Sequence, residues 1–336
     1  MTDTQVFFIA EAGVNHCGDL QMAQDMVEVA AAAGADAIKF QTFNASRLTV
    51  KTAPKAEYQK RATGEADSQQ TMLSKLELSL HDHQVLFDLC QDKNIEFMST
   101  GFDTQSVDFL ITLGIKRIKI PSGEITNLPY LRHVAAAGLP VILSTGMSTM
   151  DEVIEAVDCL YHEGLKAHQL TVLHCNTAYP TPFRDVNLNC LKTIRDELAV
   201  KVGYSDHTLG DVVAIAAVAL GSRVVEKHFT LDRTLPGPDQ STSLHPDELR
   251  ELITKIRHLE LALGDSLKQP TPSEIGNIAV ARKSLVANTA IAKGDVFTAD
   301  NISSKRPGTG ISPMQWDNVI GQKATRDYVL DDPIEL

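Results

Sequence analysis

Two histidines stand at matching places in the segment Val202–Thr230, VGYSDHTLGDVVAIAAVALGSRVVEKHFT. The segment predicts a strand, a crossover helix and a second strand, with His207 at the end of the first strand and His228 at the end of the second. Such strands are parallel and usually adjacent, so both imidazoles should leave the sheet at one edge. Neutral imidazole binds divalent metals. Asp206 beside one histidine and Glu226 near the other favour a metal site, although two hydrogen-bonded core histidines remain an alternative.

Two lysines, Lys39 and Lys119, fall near the ends of two other predicted strands. A buried lysine is costly unless it is paired or used. With the hydroxyls of Ser122, Ser144 and Ser205, and the amides of the PSGE and STGM turns, the lysines could hold a phosphate and a carboxylate. No GxGxxG or GxxxxGK[ST] motif follows a strand, so neither a dinucleotide site nor a Walker-type site is predicted.

The elements that must position these residues alternate along the chain. Apolar, β-rich runs are each followed by helical spacing of apolar residues. The predicted strands are 6–11, 37–42, 96–100, 117–120, 141–146, 170–175, 200–205 and 224–229. Eight strands alternating with helices over about 260 residues indicate a (β/α)8 TIM barrel, an α/β fold, with a doubly wound open sheet as the alternative.

A TIM barrel does its chemistry at the carboxyl ends of its strands. Polar residues follow all eight predicted strands, and besides those named above they include Glu11, Asn15, His16, Gln41, Ser99, Thr100, His174 and Asn176. A single Ser or Thr at a strand end is usually a helix cap or a turn residue. Polar residues at every exit instead indicate an active site.

The remaining segments define the domains. A long polar insert between Thr42 and Ser79 predicts a lid or specificity element, or else a mobile surface excursion. The last barrel helix is expected from Pro246 to about Leu263. We therefore predict a barrel domain at 1–265, a linker at 266–280 that contains two prolines, and a small β-rich domain at 281–336.

Composition limits the class of protein. The chain has 336 residues, 43% of them apolar, and a formal net charge of −12. The negative charge argues against partners such as nucleic acid or an anionic membrane surface. No apolar run approaches the roughly 18 residues of a membrane span, and the N-terminus lacks the basic region of a signal sequence. Five scattered cysteines suggest neither a disulfide framework nor a thiolate zinc site. We expect a cytoplasmic protein.

An ordered set of motifs runs through the chain: EAGVNHCG, IKFQTF, KIPSGE, LSTGM, LHCNTAYPTP, YSDHTLG, EKHFTLD and PGPD, then ARKSLVA and KRPGTGISP. Together they resemble the N-acetylneuraminate (sialic acid) synthase family over nearly the whole chain, including its C-terminal antifreeze-like (SAF, β-clip) domain. The resemblance implies a TIM-barrel transferase of polysaccharide biosynthesis that condenses phosphoenolpyruvate, an N-acyl hexose aldehyde and water. It also implies a divalent metal, Mn²⁺ first and Mg²⁺ or Co²⁺ otherwise. The expected assembly is a homodimer whose antifreeze-like domain covers the barrel of the partner.

The same resemblance implies roles for individual residues. His207 and His228 match the metal ligands. The positions that match phosphoenolpyruvate-binding residues are Lys39, Thr100, Lys119, Ser122, Ser144, Thr177, Tyr179 and Ser205. Positions near the sugar or the reacting atoms are Glu11, Gln41, Phe102, Glu124, Tyr179 and Asp239, together with Arg306 reaching in from the partner. The residues expected to be catalytic are Glu11, Glu124, His207 and His228. Glu124 is the first choice for stabilising the cationic centre or deprotonating water, and metal-bound water is the alternative source of the attacking oxygen.

The substrate remains open between two sugars. N-acetylmannosamine, giving N-acetylneuraminate by C–O cleavage of phosphoenolpyruvate, is the first expectation. The alternative is 2,4-diacetamido-2,4,6-trideoxymannose, giving a legionaminic acid, because the two precursors differ at C4 and C6. Gly101 stands where many family members have proline, which affects the floor of the sugar site. Two other classes stay possible: a Schiff-base aldolase using Lys39 or Lys119, and a carbohydrate- or ice-binding protein built on an inactive barrel.

Overall fold

Eight parallel strands close into a barrel in which each strand pairs with the next and the last pairs with the first. The computed structural model of the protein describes residues 5–64 and 66–336. The strands are β1 Phe7–Gly13, β2 Ala37–Thr42, β3 Glu96–Gly101, β4 Ile118–Ile120, β5 Val141–Ser144, β6 Leu170–Cys175, β7 Lys201–Asp206 and β8 Val224–His228. The predicted TIM barrel is confirmed, and the open doubly wound sheet was the wrong alternative.

One long helix follows each strand of the barrel. These helices are α1 Leu20–Ala33, α5 Leu80–Asp92, α6 Thr104–Leu113, α7 Leu128–Ala136, α8 Met150–His162, α9 Cys190–Leu198, α10 Val212–Ala219 and α11 Pro246–Leu263. Local sequence fixes several of their ends. The side chain of Asp19 accepts a hydrogen bond from the amide of Met22 to cap α1, and Gly34 closes the helix in the left-handed conformation.

The interior of the barrel changes from apolar to polar along each strand. The deeper inward-facing side chains form an apolar cluster of Phe7, Ile9, Ala37, Met98, Ile142, Leu173 and Val224. Side chains two residues further along face the same way, since side chains in a strand alternate. Those positions carry Glu11, Lys39, Thr100, Ser144, Cys175 and Glu226. The barrel therefore has a dry lower core beneath a polar upper layer.

The long insert between β2 and α5 contains three short helices. They are α2 Ala45–Leu48, α3 Glu57–Thr63 and α4 Gln69–Ser74. The sequence predicts only an unusually long loop here, because each helix is too short to show clear periodicity. Apolar side chains of the insert, including Phe43 and Leu76, pack with Val14 from the loop after β1. The insert is thus attached to the carboxyl end of the barrel.

The chain forms two compact units, Met1–Gly264 and Asp265–Leu336. In the second unit, β9 Ser284–Ala287 pairs antiparallel with β10 Ile302–Lys305, and α13 is Trp316–Val319. Its core consists of Leu285, Ala287, Ile291, Phe297, Ile302, Val319, Ala324, Tyr328 and Ile334. This small β-rich unit agrees with the predicted C-terminal fold.

The segment predicted as a linker, 266–280, is not extended throughout. Most of it lies in α12 Pro272–Ala281. Pro272 occupies the first turn, where a missing amide hydrogen costs nothing, and Glu274 bonds back to the amide of Thr271. One of the two prolines that suggested a linker, Pro272, therefore begins a helix.

Helix length and polarity also bear on the expected absence of membrane segments. Within residues 5–64 and 66–336, no helix is both long enough and apolar enough to cross a bilayer.

Candidate active site

The carboxyl ends of the strands and the insert surround a cavity of about 800 Å³. Fifteen of the sixteen predicted site residues line it: Glu11, Lys39, Gln41, Thr100, Phe102, Lys119, Ser122, Glu124, Ser144, Thr177, Tyr179, Ser205, His207, His228 and Asp239. The remaining one, Arg306, belongs to the second unit, where it is exposed and its Nε donates to the carbonyl of Ala281 at 3.0 Å. The structure thus brings the barrel residues of the predicted site together.

Other predicted strand-end residues do not line the cavity. His174 faces outward from β6, and its Nε2 donates to the carbonyl of Val186 at 2.7 Å. Ser99 likewise faces outward and bonds to the hydroxyl of Thr42 at 2.7 Å. His16 is fully buried, and its Nδ1 accepts from the amide of Gly18 at 3.0 Å. These three are structural, because alternation along a strand and the turn after β1 direct them away from the cavity.

The histidine pair lies at the carboxyl ends of the adjacent strands β7 and β8, with its ring centroids 5.5 Å apart. Nδ1 of His207 bonds to the carbonyl of Asn176, so Nδ1 carries the hydrogen and the lone pair is on Nε2. Burial lowers the pKa of His207 to about 4 and holds the pKa of His228 well below its ordinary value. Nδ1 of His228 is buried and has no hydrogen-bond partner among the described residues. Both rings are therefore neutral near pH 7.

The backbone around His228 leaves no room for an additional side chain. Gly13 has a φ of +53°, and a Cβ there would lie 3.2 Å from Cε1 of His228 and 3.3 Å from Oε1 of Glu11. The pairing of β1 with β2 is irregular between Glu11 and Gly13, as in a β-bulge. Such an irregularity re-aims side chains beside active sites. Glycine is required here both by its φ and by this close approach.

Two neutral imidazoles with one ring oriented by a carbonyl are a chemically suitable pair of ligands for a divalent metal. Within the described part of the chain, no group of three or more His, Cys, Asp or Glu side chains is arranged to hold a metal ion. The protein would therefore supply two imidazole ligands, and the other coordination positions would be filled by water or substrate oxygens.

Lys39 and Lys119 are paired with carboxylates. Nζ of Lys39 lies 2.8 Å from Oε2 of Glu11 and 3.7 Å from Oε1 of Glu226, and it donates to Oγ1 of Thr100 at 2.9 Å. Nζ of Lys119 lies 3.3 Å from Oε1 of Glu226. Two ammonium groups and two carboxylates therefore share the floor of the cavity, a pairing that the sequence did not predict. That the lysines bind an anion stays a prediction.

The two carboxylates differ in their protonation. Burial raises the pKa of Glu11 to about 7, even though Lys39 acts to lower it. Burial also acts to raise the pKa of Glu226, but Lys119 and Lys39 outweigh this effect and hold that pKa at about 2. Glu226 is therefore ionised at all working pH values, whereas Glu11 can take up or release a proton near neutrality. Burial lowers the pKa of Lys119.

A second wall of the cavity follows β4 and β5. The amide of Gly146 donates to Oγ of Ser122 at 2.9 Å. A Cβ at Gly146 would lie 2.7 Å from Cγ2 of Thr177, so only glycine allows this approach. The hydroxyl of Ser144 is buried and has no partner within the described residues. It can therefore bond to a ligand without breaking an existing contact.

Asp239 and Glu124, which were predicted to lie near the sugar or the reacting atoms, also line the cavity. Burial raises the pKa of Asp239 to about 7. Its loop is held in place because Gln240 donates to the carbonyl of Asn15 at 2.8 Å, and Ser243 donates to the carbonyl of Asp239 at 2.7 Å. Glu124 is half-buried in a short 3-10 turn and accepts from Asn127 at 2.6 Å.

Sequence reasoning missed two contributors to the site. Tyr58, on α3 of the insert, stacks on Tyr179 with ring centroids 4.8 Å apart, and Tyr179 lies 4.1 Å from the ring of His207. The unusual length of the insert was the available signal for Tyr58. Glu226 was noted beside His228, but its contacts with both lysines were not predicted.

A closed barrel with its titratable side chains gathered at the carboxyl ends of the strands is the arrangement found in TIM-barrel enzymes. Residues 26–268 match the NeuB family, and residues 282–335 match the SAF domain. The chain therefore belongs to the NeuB family of nonulosonic acid synthases and carries a C-terminal SAF domain, which confirms the family resemblance of the sequence motifs.

Individual relatives agree with this family assignment. The chain is 48% identical over 330 residues to the N,N'-diacetyllegionaminic acid synthase of Campylobacter jejuni, covering 98% of this chain and 99% of that protein. It is 49% identical over 319 residues to the N,N'-diacetyllegionaminic acid synthase of Legionella pneumophila, covering 94% and 90%. A crystal structure of the N-acetylneuraminic acid (sialic acid) synthetase of Leptospira borgpetersenii, in complex with citrate, matches with a TM-score of 0.71 and 35% identity. That match covers 82% of this chain and 90% of that one.

Proposed function

We propose that the protein condenses phosphoenolpyruvate with the open-chain aldehyde of 2,4-diacetamido-2,4,6-trideoxymannose and water. The products are N,N'-diacetyllegionaminic acid and phosphate. The observation that carries this proposal is the gathering of the histidine pair, both lysines and the hydroxyls around one cavity of about 800 Å³. A volume of that size suits two small substrates bound side by side.

The choice of sugar has two supports. Identity to the two legionaminic acid synthases is 48% and 49%, against 35% to the sialic acid synthetase, which favours the alternative sugar over N-acetylmannosamine. In addition, Phe43, Leu48, Leu73 and Phe102 give the cavity an apolar wall. A 6-deoxy sugar with two acetamido groups presents three methyl groups to such a wall.

Phosphoenolpyruvate binds at the polar floor. With Glu11 protonated, Lys39 and Lys119 outnumber the remaining carboxylate of Glu226, so the floor has a net positive charge and attracts an anion. The free hydroxyl of Ser144 then donates to the ligand. Glu11 thus couples anion binding to its own protonation, and its proton is available to the aldehyde oxygen as negative charge develops there.

His207 and His228 hold the divalent cation, for which we propose Mn²⁺ first and Mg²⁺ or Co²⁺ as alternatives. A cation bound there supplies Lewis-acid polarisation of the aldehyde. The carbonyl of Asn176 keeps the proton of His207 on Nδ1, so that Nε2 remains a ligand.

Carbon–carbon bond formation from C3 of phosphoenolpyruvate leaves positive charge at C2. Glu124, which lines the same cavity, stabilises this charge and accepts the proton of the water that attacks C2. The tetrahedral intermediate then loses phosphate with cleavage of the C2–O bond. Ionised Glu226 keeps the lysines oriented throughout.

Phosphate release from phosphoenolpyruvate, with Mn²⁺ and a panel of N-acyl hexoses, tests this function. The diacetamido trideoxy sugar should give the highest kcat/KM, and higher turnover with N-acetylmannosamine would overturn the sugar assignment. In oxygen-18 water the label should appear at C2 of the product. Label in the released phosphate would refute C–O cleavage.

We also propose that the protein is a homodimer in which Arg306 serves the barrel of the partner subunit. Its exposure in the second unit leaves it free to do so. Mixing Arg306→Ala with His207→Ala chains should restore about a quarter of wild-type activity, because half of the dimers would be mixed with one intact site each. Mixed dimers without recovered activity would refute this role.

A further inference from the structure

A buried ion pair lies behind the two histidines. Nζ of Lys227 is 2.7 Å from Oδ2 of Asp206, and the two side chains are 1% and 0% exposed. Asp206 and Lys227 are partners in the register of β7 and β8, and each directly precedes one of the histidines. Because side chains alternate along a strand, both point away from the cavity that His207 and His228 line.

The same pair also holds the backbone on both sides of His207. Oδ1 of Asp206 accepts from the amide of Thr208 at 2.9 Å and from its hydroxyl at 2.8 Å. Nζ of Lys227 donates to the carbonyl of Thr208 at 2.9 Å. The ammonium group of Lys227, the residue before His228, therefore bonds to both neighbours of His207, Asp206 and Thr208. We term these three bonded residues the clasp.

Pairing of the strands does not require such a clasp. On the outer face between β5 and β6, the register partners Leu143 and Val172 are apolar and fully buried. A buried ion pair is a poor source of stability compared with well-packed apolar side chains, but its directional bonds fix one geometry. The clasp thus takes the place of apolar packing between β7 and β8, next to the point where His207 and His228 must be held at a fixed separation.

We propose that Asp206 and Lys227 are positioning residues that set the spacing and orientation of His207 and His228 for a divalent cation. The inference rests on the metal site proposed above. The carbonyl of Asn176 orients the ring of His207, whereas the clasp fixes the backbone from which that ring projects. Groups behind metal ligands typically change metal affinity by about 10- to 100-fold when they are removed.

The test is a titration of the metal-free, full-length protein with Mn²⁺, in which free Mn²⁺ is measured by electron paramagnetic resonance. Lys227→Met removes the bonds to both Asp206 and Thr208, and it should weaken binding about 10- to 100-fold. Asp206→Asn keeps an acceptor for Thr208 but loses the charge, and it should weaken binding less. With Co²⁺ in place of Mn²⁺, both variants should show altered visible absorption bands, because the ligand geometry changes.

Arg117→Met is the matched control, since Arg117 pairs with Glu96 at 2.7 Å at the opposite end of the barrel. It should bind Mn²⁺ as the wild type does. A folded Lys227→Met variant with wild-type affinity and an unchanged cobalt spectrum would overturn the clasp. Should Lys227→Met not fold, wild-type affinity and spectrum in Asp206→Asn would overturn it equally. His207→Ala separates the two proposals: if it binds Mn²⁺ as the wild type does, the metal site fails, and the clasp fails with it.

Discussion

The two ends of the barrel use charged side chains differently. At the amino ends of the strands, Arg117 makes two hydrogen bonds to Glu96, at 2.7 and 3.0 Å, and lies 4.2 Å above the ring of Phe7. Arg257 bonds to Asp36 at 2.6 Å and to the carbonyl of Val6 at 2.8 Å. These bonds are charge-assisted, and the two from Arg117 to one carboxylate are of the strong, bidentate kind.

At the carboxyl ends, charged and polar groups are incompletely paired. Oε2 of Glu226, Oγ of Ser144 and Nδ1 of His228 are buried without a hydrogen-bond partner in the described part of the chain. Each such atom lowers the stability of the folded state, because it has lost its contacts with water. The amino ends of the strands, the lower end of the barrel, thus carry paired charges that stabilise the fold. The carboxyl ends, the upper end, keep polar groups free for ligands at a cost in stability.

Substitution of a cavity histidine should give the largest loss of activity, and substitution of a histidine outside the cavity should give none. His207→Ala or His228→Ala removes half of the protein's proposed metal ligands, so phosphate release should fall on the order of a thousandfold or more. The folded state should remain, because a neutral, incompletely paired ring contributes little to stability. His133→Ala, which removes an exposed contact of 2.7 Å with Asp108, should keep wild-type activity. Full turnover of both cavity variants in metal-stripped buffer would contradict the metal site.

Lys119 and Arg117 allow a direct comparison of the two ends, because Arg117 lies just before β4 and Lys119 lies two residues further along, within the strand. Lys119→Met should lower kcat/KM for phosphoenolpyruvate by about 100- to 1,000-fold, as expected for loss of a charged contact in a buried site. Arg117→Met should leave kcat/KM nearly unchanged but lower the free energy of unfolding by about 1–3 kcal/mol. Steady-state kinetics and urea unfolding measure both quantities. Loss of activity in Arg117→Met would show that the two ends are not separable.

Asp239 should make the upper end sensitive to pH. Burial raises its pKa to about 7. Between about pH 4 and 7 its carboxyl ionises in the unfolded chain but stays protonated in the folded one, so the wild type loses stability as the pH rises through this range. Asp239→Asn avoids that loss. It should be more stable than the wild type by on the order of 2–4 kcal/mol at pH 8, and equal to it near pH 4.

Asp232, exposed in the same loop, is the control for this measurement. Hydrogen bonds from Thr234 lower the pKa of Asp232, so its ionised form stabilises the fold. Asp232→Asn should therefore be less stable than the wild type by a nearly constant amount between pH 4 and pH 8, because the contribution of Asp232 is lost only as the pH falls through its lowered folded-state pKa. Urea unfolding at pH 4 and pH 8 distinguishes the two. A stability difference for Asp239→Asn that does not change with pH would argue against a buried, protonated carboxyl.

Local patterns were sufficient to predict the barrel and much of its site. Strands rich in valine and isoleucine alternate with amphipathic helices, and parallel strands place their ends at one edge, so His207 and His228 could be placed together from sequence. Pairings across the barrel could not be predicted. Lys119 on β4 meets Glu226 on β8, 107 residues later, and no local pattern records that contact. The position of Tyr58 was also hidden, because it depends on the path of three short helices.

The smallest effect on activity is expected for a substitution in the insert that covers the carboxyl ends of the strands. Tyr58 stacks on Tyr179 at 4.8 Å, and Tyr179 in turn lies 4.1 Å from the ring of His207. Tyr58→Ala removes the outer ring of this stack, while the lysines and carboxylates on the floor keep their contacts. An aromatic pair contributes about 0.5–1.5 kcal/mol, so KM for the sugar should rise about 3- to 10-fold.

The KM for phosphoenolpyruvate should not change in Tyr58→Ala, and Tyr58→Phe, which keeps the ring, should behave as the wild type does. Steady-state kinetics with each substrate varied in turn measures both constants. An equal rise in both KM values would mean that the insert controls the whole cavity. A rise confined to the KM for the sugar would instead mean that the upper end of the barrel has two functionally separate layers. The charged floor would bind the anion common to the family, and the insert would form a roof that can differ between relatives and so select the sugar.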